Sequence, residues 1–395
     1  MVRVWPIGGY LISPEHAAAV SPPAHDALTP EERIALADAN PLSYLNVIRS
    51  AADYPIDTRP PPSEVRAGNA ARLKAMIDQG VFLPAGGRHF YVYGLEWDGG
   101  RQLGVVADLP VGDVATVVKP HERVKPDRAT EMAEYLAEVH VSSSPICLAY
   151  RSNPSIDAVV EAVGQTDPLL RFESPGDVTQ SVWRLDPRLG EELAGCFADQ
   201  VSSLYLIDGH HRTAATAMHA ASHPGEHCLL AVMFPSHHLG LVAFDRYVAV
   251  EPGTTPELLG RLREEFLVED IPGRPAERPS KREEILMCLE GDWFLLVDLR
   301  PPPKDVLASL SVSVLHRRIL GPLFGAGDSD VTYLPATSDL EEVEARCRRT
   351  GEVAFAVVPP TIDEVMAVSE LGGLMPPKST YFLPKVRTGV FVVDR

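Results

Sequence analysis

Apolar and polar positions alternate along most of the chain with periods that predict short strands and amphipathic helices in turn. Two apolar runs flank Asp98-Gly99-Gly100, a sequence typical of a hairpin turn. The apolar run 114–118 predicts a buried strand, followed by a polar loop and a helix that begins near Pro126. From residue 145 to residue 222, strand and helix patterns follow one another three times. This order of elements predicts an α+β fold.

The two ends of the chain have patterns of their own. Thr29 and Pro30 predict a helix start, because a capping hydroxyl and a proline in the first turn are both favoured there. A second helix is expected over 64–79, and beyond the core the alternation restarts as a smaller α+β sandwich of helices on one sheet. The predicted parts are an N-terminal helical and extended segment packed on the core (1–84), the core (85–252) and a C-terminal α+β domain (253–395).

The composition restricts the classes of function that fit the chain. Apolar residues make up 45% of the sequence and charged residues 23%, as in an ordinary globular protein. The formal net charge is −18 at pH 7, and such a field repels polyanions, so we do not expect nucleic acid as a partner. A phosphorylated small molecule can still bind where basic residues cluster.

The cysteines and the overall hydropathy indicate a cytoplasmic protein. The five cysteines lie far apart without paired spacing, which favours reduced thiols. The N-terminal sequence lacks the apolar run of a signal peptide, and no stretch reaches the roughly 18 apolar residues of a membrane span. We therefore expect a cytoplasmic location and no membrane partner.

One stretch, "SLYLIDGHHRTAATAMHAA", concentrates candidate chemistry where a predicted strand meets a predicted helix. A helix start offers unpaired N–H groups and a partial positive charge, so it favours an anion. Gly209 allows a sharp turn and close approach of a ligand, and the Arg212 guanidinium can bind phosphate oxygens. Asp208 is expected either to hold Mg²⁺ or to cap the helix. The pattern predicts a phosphate site, with a plain helix cap as the alternative.

A second charged cluster follows the predicted strand 114–118. Its members are Lys119, His121, Glu122, Arg123, Lys125, Asp127 and Arg128. A carboxylate among cations is well placed to act as a general base beside phosphates, and the alternative is a solvated loop.

A third cluster lies near the C-terminus, between two prolines and a glycine. Its members are Lys378, Ser379, Thr380, Lys385 and Arg387. These residues are expected either to reach an anion or to pin the C-terminus to the core.

A zinc site competes for the histidines of the same region. His219 and His223 are four residues apart, as in a zinc-binding pair on one helix face. Pro224 ends that helix, however, and histidines in a last turn suit the negative helix end without a metal. We therefore predict no structural zinc.

With these motifs in hand, the chain resembles the domain-of-unknown-function family 1015 over nearly its whole length. The blocks that carry the likeness are "PPAHDALTPEE" with "NPLSYLNVIR", "HERVKPDR", "LIDGHHRTAAT" and "TIDEVMAVSELGGLMPPKSTYFLPK". The family's usual Pro-Pro-Tyr-Asp is replaced here by Pro22-Pro23-Ala24-His25-Asp26, with one residue more and no tyrosine. The resemblance implies a cytosolic protein but no activity.

The strand, Asp-Gly-x-His-Arg turn and helix also resemble the phosphate-binding turn of the ParB/sulfiredoxin nucleotide-binding superfamily. That resemblance implies a ParB/sulfiredoxin-like core with a mixed sheet and helices. The sulfiredoxin branch needs a cysteine in this turn, where this chain has His210 and His211. The ParB branch needs a basic surface, against which the charge of −18 argues. The free serine kinase branch fits best.

Membership of that branch implies a nucleotide-dependent kinase that phosphorylates free serine or a related amino acid. ATP or ADP would be the donor and Mg²⁺, held by Asp208, the cofactor. Glu122 would be the general base, and His210 or His211 would stabilise the transferring group. The residues expected to bind the nucleotide phosphates are Gly209, His210, His211, Arg212, Thr213, Lys119, His121, Lys378 and Ser379.

Two other functions fit the same motifs. One is a nucleotide-binding switch that signals to a partner protein without useful turnover. The other is a nucleotidase or phosphatase that uses the same phosphate site with water as acceptor. The sequence predicts a nucleotide and an amino-acid-like molecule as partners, and it predicts no oligomeric state.

Overall fold

The computed structural model describes residues 1–24, 28–251, 253–327 and 330–395. Helices and strands are mixed along the whole chain, which confirms the α+β prediction. His25 and Asp26, two residues of the N-terminal block in which the chain departs from the family's usual sequence, lie outside the described residues.

The strands of the described residues are β1 (Tyr10–Ile12), β2 (Phe82–Pro84), β3 (Tyr91–Trp97), β4 (Gly100–Pro110), β5 (Val118–Lys119), β6 (Val141–Ser142), β7 (Ile146–Tyr150), β8 (Leu170–Ser174), β9 (Val178–Arg184), β10 (Leu204–Asp208), β11 (Cys228–Pro235), β12 (Gly240–Val242), β13 (Phe244–Ala249), β14 (Leu267–Ile271), β15 (Glu284–Leu289), β16 (Asp292–Val297), β17 (Val331–Pro335), β18 (Glu352–Val357), β19 (Tyr381–Leu383) and β20 (Phe391–Asp394).

The α-helices of the same residues are α1 (Ala17–Val20), α2 (Pro30–Ala39), α3 (Pro62–Asp78), α4 (Val111–Val117), α5 (Pro126–Val139), α6 (Pro154–Gly164), α7 (Pro187–Gln200), α8 (His210–Ser222), α9 (Thr255–Glu265), α10 (Val306–Ser309), α11 (Ser311–Leu315), α12 (Gly321–Phe324), α13 (Leu340–Thr350) and α14 (Ile362–Glu370). None of the helices so described has both the length and the apolar character that crossing a membrane requires.

The described residues form two compact units. The first comprises Met1–Pro120, Val124–Leu239 and Pro384–Arg395, and the second comprises His121–Arg123 and Gly240–Leu383. The N-terminal segment is thus part of the first unit, which the chain re-enters at its end. The predicted division into three consecutive parts stays a prediction.

The first unit is built on a sheet with the strand order β5-β10-β7-β11-β4-β3-β9-β8. β10 runs parallel to β5, and β7 runs parallel to β11, whereas the other neighbours are antiparallel. Leu148, Leu206 and Ala231 from three central strands are buried against helix residues such as Leu193 and Phe197. A second sheet in this unit has the order β2-β1-β20-β6.

Several predicted elements of this unit are confirmed. β3 and β4 form the expected hairpin, with Trp97 opposite Gly100. α5 begins at Pro126, and α2 begins after Thr29, whose hydroxyl accepts from the Glu32 amide while the Glu32 carboxylate accepts from the Thr29 amide. Local capping chemistry therefore fixes these boundaries.

The predicted strand 114–118 is wrong. Residues up to Val117 belong to helix α4, and only Val118 and Lys119 form a strand. Val114 and Val117 are buried while the two residues between them are exposed, so burial recurs at helical spacing. A short run of β-branched residues does not separate the two patterns, and the packing of α4 on the sheet decides between them.

The second unit contains an antiparallel sheet in the order β14-β16-β15-β18-β13-β17. Side chains of β15 alternate between its faces: Ile285 and Met287 join one core, whereas Leu286 and Cys288 join another. α13 covers the second of these cores through residues that include Val343. Both faces of this sheet are therefore buried within the unit.

Candidate functional site

β10 and α8 meet in a turn that requires glycine. β10 ends at Asp208, and Gly209 follows with a φ of +98°, in the left-handed region. A Cβ atom at this position would lie 2.7 Å from the side chain of Ile146 on the neighbouring strand. Both the backbone conformation and the packing therefore exclude a larger residue.

Helix α8 begins without a side-chain cap. Its N-cap residue is Gly209, and its first turn contains no acidic residue. The amide of Thr213 donates to the Gly209 carbonyl at 2.9 Å, and the Thr213 hydroxyl donates to the same carbonyl at 3.1 Å. The amides of residues 210–212 precede that first helical hydrogen bond, so no carbonyl of the helix accepts from them. Such a start favours an anion.

The Asp208 carboxylate accepts hydrogen bonds from two cations. The Lys385 ammonium donates to one oxygen and the Arg212 guanidinium to the other. The side chains of Asp208, Arg212 and Lys385 are only 24, 28 and 12% exposed. Burial alone raises the pKa of Asp208, but the Lys385 and Arg212 charges outweigh it and hold the pKa well below its ordinary range. Asp208 is therefore ionised at neutral pH.

The Arg212 guanidinium is held from two sides. Its second NH₂ group donates to the Pro145 carbonyl, just before β7, at 2.7 Å. Its Nε atom would lie 3.1 Å from a Cβ atom at Gly209, so the guanidinium lies over the turn. Contacts within the protein thus engage two of its five N–H donors and fix the cation beside the helix start.

The two histidines of the turn have different surroundings. His210 is buried. His211 Nε2 accepts a hydrogen bond from the Lys125 amide at 3.0 Å. Because a backbone N–H can only donate, this contact assigns the neutral form of His211 with its proton on Nδ1. The same contact joins α8 to the residue that precedes α5.

Lys119 lies at the same edge of the sheet as the turn. It ends β5 and is paired with Tyr205 on the parallel strand β10, three residues before Asp208. Because β5 and β10 are parallel, their carboxyl ends meet at one edge. Lys119 therefore ends the strand next to β10, three residues short of the level of Asp208.

His121 and Glu122 belong to the second unit. His121 is buried, and its Nε2 atom lies 3.0 Å from the Thr380 hydroxyl. Its carbonyl accepts from the Met375 amide at 2.8 Å. These contacts bring His121 against residues 375–380 within the second unit. Glu122, the next residue, is partly buried.

Lys378 and Ser379 have structural contacts in the second unit. The Lys378 ammonium lies 5.3 Å from the centre of the Phe244 ring. Ser379 is buried, and its hydroxyl donates to the Pro376 carbonyl at 2.6 Å. Their predicted roles as phosphate ligands stay predictions.

The surroundings of Asp208 do not fit a Mg²⁺ ligand. Both carboxylate oxygens accept from cationic side chains, and these two charges repel a divalent ion. Within the described ranges, no group of three or more His, Cys, Asp and Glu side chains is arranged to hold a metal. Mg²⁺ therefore takes no part in the mechanism proposed below.

Histidines also cluster at the other end of α8. The His219 and His223 rings stack with their centroids 4.1 Å apart, and His227 lies edge-on to His219 at 5.2 Å. Burial, and then the neighbouring His223 and His227, lower the pKa of His219. The absence of zinc stays a prediction, which metal analysis of untagged protein tests.

Lys385 is the site residue that sequence reasoning left unassigned. As a member of the third cluster, Lys385 was expected either to reach an anion or to pin the C-terminus to the core. In the structure it contacts Asp208 across 177 residues of sequence. No local pattern encodes a contact of that separation.

Solved structures include proteins similar to this one at low identity. The free serine kinase in complex with AMP is 14% identical, aligns 73% of this chain with 92% of its own, and has a TM-score of 0.38. A conserved hypothetical protein from Pyrococcus furiosus is 14% identical over 73% of this chain and 94% of its own, with a TM-score of 0.37. C-terminally truncated SbnI from Staphylococcus aureus is 13% identical over 72% and 85%, with a TM-score of 0.38. Identities and scores this low identify neither a substrate nor an activity.

The family comparison is more direct. No curated protein matches the chain. The family described as "Protein of unknown function (DUF1015)" matches residues 4–315, which is most of the sequence and includes three of its four motif blocks. The chain therefore belongs to the DUF1015 family.

Proposed function

We propose that this protein is a nucleotide-dependent kinase that phosphorylates the hydroxyl of a small metabolite, most simply free serine or a related amino acid. One observation carries the proposal: the uncapped start of α8 at Gly209 lies beside the Arg212 and Lys385 cations. Backbone donors, a helix dipole and fixed cations together favour the phosphates of a nucleotide.

The charge distribution supports a small anion as ligand. The chain has a net charge of −18, but the Arg212 and Lys385 cations stand together beside the start of α8. A local positive site in an acidic protein admits a small phosphate compound while the overall field repels polyanions. ATP or ADP is therefore the proposed donor, and nucleic acid is not a proposed partner.

Phosphoryl transfer needs positioning and charge stabilisation more than covalent chemistry. We assign the phosphates of the donor to the amides of residues 210–212 and to Arg212. The partly buried Glu122 carboxylate is the proposed base that accepts the proton of the substrate hydroxyl. His210 or His211 is proposed to stabilise the transferring group.

The finer assignment of the fold is part of the same proposal. The mixed sheet of the first unit, with parallel β5 and β10 at one end, supports a ParB/sulfiredoxin-like core. For the second unit we retain the smaller α+β sandwich, and for the whole protein a cytoplasmic location.

Product analysis tests the proposal. Protein incubated with L-serine and either ATP or ADP is expected to form O-phosphoserine, detected by ³¹P NMR and mass spectrometry. Inorganic phosphate as the sole product would indicate a nucleotidase. Nucleotide binding without any product would indicate a switch protein, and both results contradict a kinase.

Glu122→Gln tests the proposed base. The amide keeps the shape of the side chain but cannot accept the proton, so we expect turnover to fall by about 10²–10⁴-fold with unchanged nucleotide affinity. Glu131→Gln, an exposed change on α5, is the matched control and is expected to be silent. Normal turnover of the Glu122 variant would place the base elsewhere.

A further inference from the structure

Two cysteines lie together in the second unit, away from the candidate site. Cys288 is on β15 and Cys347 is on α13, and both belong to the core that α13 covers. Both are fully buried, and both thiols are free. The Cys288 thiol donates a hydrogen bond to the Cys347 sulfur. Two segments that are distant in the sequence thus place one thiol directly against the other.

The backbone of the sheet holds this pair from both sides. Cys288 is opposite Ala354 in the pairing of β15 with β18, and the Ala354 amide donates to the Cys347 sulfur. The amide of Gly291, in the turn between β15 and β16, donates to the Cys288 sulfur. Both sulfur atoms are therefore fixed in contact, and only a short approach separates them from the roughly 2 Å of a disulfide bond.

The shared hydrogen bond makes the two thiols chemically unequal. The bond from Cys288 lowers the pKa of Cys347 against the opposing effect of burial. The same bond, and then burial, raise the pKa of Cys288 far above its ordinary range. Thiolate character favours reaction with peroxides, and a neighbouring thiol converts the resulting sulfenic acid to a disulfide. These properties make Cys347 the attacking sulfur and Cys288 the resolving one.

The pair lies close to a surface turn. Glu290 and Asp292, on either side of Gly291, are exposed. The Arg348 side chain, from the residue after Cys347, lies over this turn, because a Cβ atom at Gly291 would be 2.2 Å from its Nε atom. That side chain is 61% exposed, and exposed side chains change rotamer rapidly. The turn is therefore the expected entry for a small, uncharged oxidant.

We propose that Cys288 and Cys347 form an oxidation site at which hydrogen peroxide produces a reversible disulfide. The Cys347 sulfur attacks one peroxide oxygen, the O–O bond breaks, and the released hydroxide takes the thiol proton and leaves as water. The Cys288 sulfur then attacks the sulfenic acid at Cys347, so that an S–S bond forms, the S–O bond breaks, and the oxygen leaves with the Cys288 proton as a second water. The two thiols have together lost two electrons, which the peroxide has gained. This site is independent of the proposed kinase activity.

Peptide mapping of peroxide-treated protein tests the proposal. Reduced full-length protein is treated with hydrogen peroxide, alkylated, digested without reductant and analysed by mass spectrometry. We expect a product that links the Cys288 peptide to the Cys347 peptide, is two hydrogen atoms lighter than the two free peptides and disappears with dithiothreitol. Treated protein that keeps both thiols, or that links either cysteine to a different one, would overturn the proposal.

Cysteine variants separate this pair from general thiol oxidation. Cys196→Ser removes a partly exposed thiol of α7 and is the matched control, with the linked product expected unchanged. Cys288→Ala is expected to abolish the linked product and to leave a sulfenic acid at Cys347 that dimedone labels. If Cys288→Ala does not fold, Cys288→Ser replaces it, because it keeps the size of the side chain, and the same loss is expected. A Cys288 variant in which Cys347 resists labelling would contradict its role as the attacking sulfur.

Discussion

Gly209 determines the shape of the candidate site at the scale of single residues. Its left-handed backbone and the contact with Ile146 leave no room for a side chain. We expect Gly209→Ala to lower the free energy of unfolding by about 1–3 kcal/mol, the range for a non-glycine residue held in this region. Gly195→Ala is the matched control, because Gly195 lies in α7 with open space around it, and the change is expected to stabilise by up to about 1 kcal/mol. Equal effects of the two changes, measured by chemical denaturation, would contradict the argument.

Asp208→Asn distinguishes a carboxylate that positions cations from one that binds Mg²⁺. Removing the charge weakens the hydrogen bonds that Lys385 and Arg212 donate to this side chain, so we expect the free energy of unfolding to fall by about 1.5–3 kcal/mol at neutral pH. Any change in ADP affinity is expected to be the same in Mg²⁺ and in EDTA. A loss of affinity confined to Mg²⁺ would restore the metal role.

The pH dependence of the same variant follows from the lowered pKa of Asp208. A carboxyl group with a lowered pKa stabilises the folded state above the pKa of the unfolded chain, near its ordinary value of 3.8. The difference in free energy of unfolding between wild type and Asp208→Asn is therefore expected to be largest at pH 6 and to shrink as the pH falls below about 4. A difference that grows on acidification would contradict this sign.

The sequence predicted part of the site at this scale. Asp208 and Gly209 stand next to each other, so the strand, the turn and the helix start could be deduced from local preferences. The contact of Lys385 with Asp208 could not, because it depends on how distant segments pack. The two cations around Asp208 are also what makes its predicted Mg²⁺ role unsuitable.

At the scale of elements, α8 has the candidate site at its start and a histidine cluster at its end. Burial, and then His223, His227 and His140, lower the pKa of His219 below its ordinary value of 6.5. The unfolded chain therefore binds a proton at His219 more readily than the folded protein does. The free energy of unfolding is highest above about pH 6.5 and declines as the pH falls from there through the folded pKa. We expect His219→Gln to flatten the decline between pH 7 and pH 5.5 in denaturant titrations. An unchanged slope would show that His219 does not contribute to it.

Element prediction succeeded where the local signal was strong. The capping residues of α2, the proline at the start of α5 and the β3–β4 turn each specify a boundary by local chemistry. It failed at α4, where a run of β-branched residues resembled a strand although its buried positions recur at helical spacing. The parallel pairing of β5 with β10 is a non-local contact, and no local pattern specifies which strands become neighbours.

At the scale of the whole molecule, the chain passes between its two compact units several times. The first unit is assembled from three segments, and the second takes His121–Arg123 from the middle of the first. The C-terminal motif block, residues 361–385, is divided as well, because residues up to Leu383 belong to the second unit and Pro384–Arg395 to the first. Local sequence patterns give no signal of such returns, and the predicted division into three parts stays a prediction.

The central claim is that a nucleotide phosphate binds at the start of α8. A crystal structure of the protein with ADP tests it most directly, because it locates the phosphates without assuming any activity. The account predicts a phosphate oxygen within about 3 Å of a backbone nitrogen among residues 210–212, the usual distance of a hydrogen bond. ADP bound at another place, with no phosphate at Gly209, would contradict it.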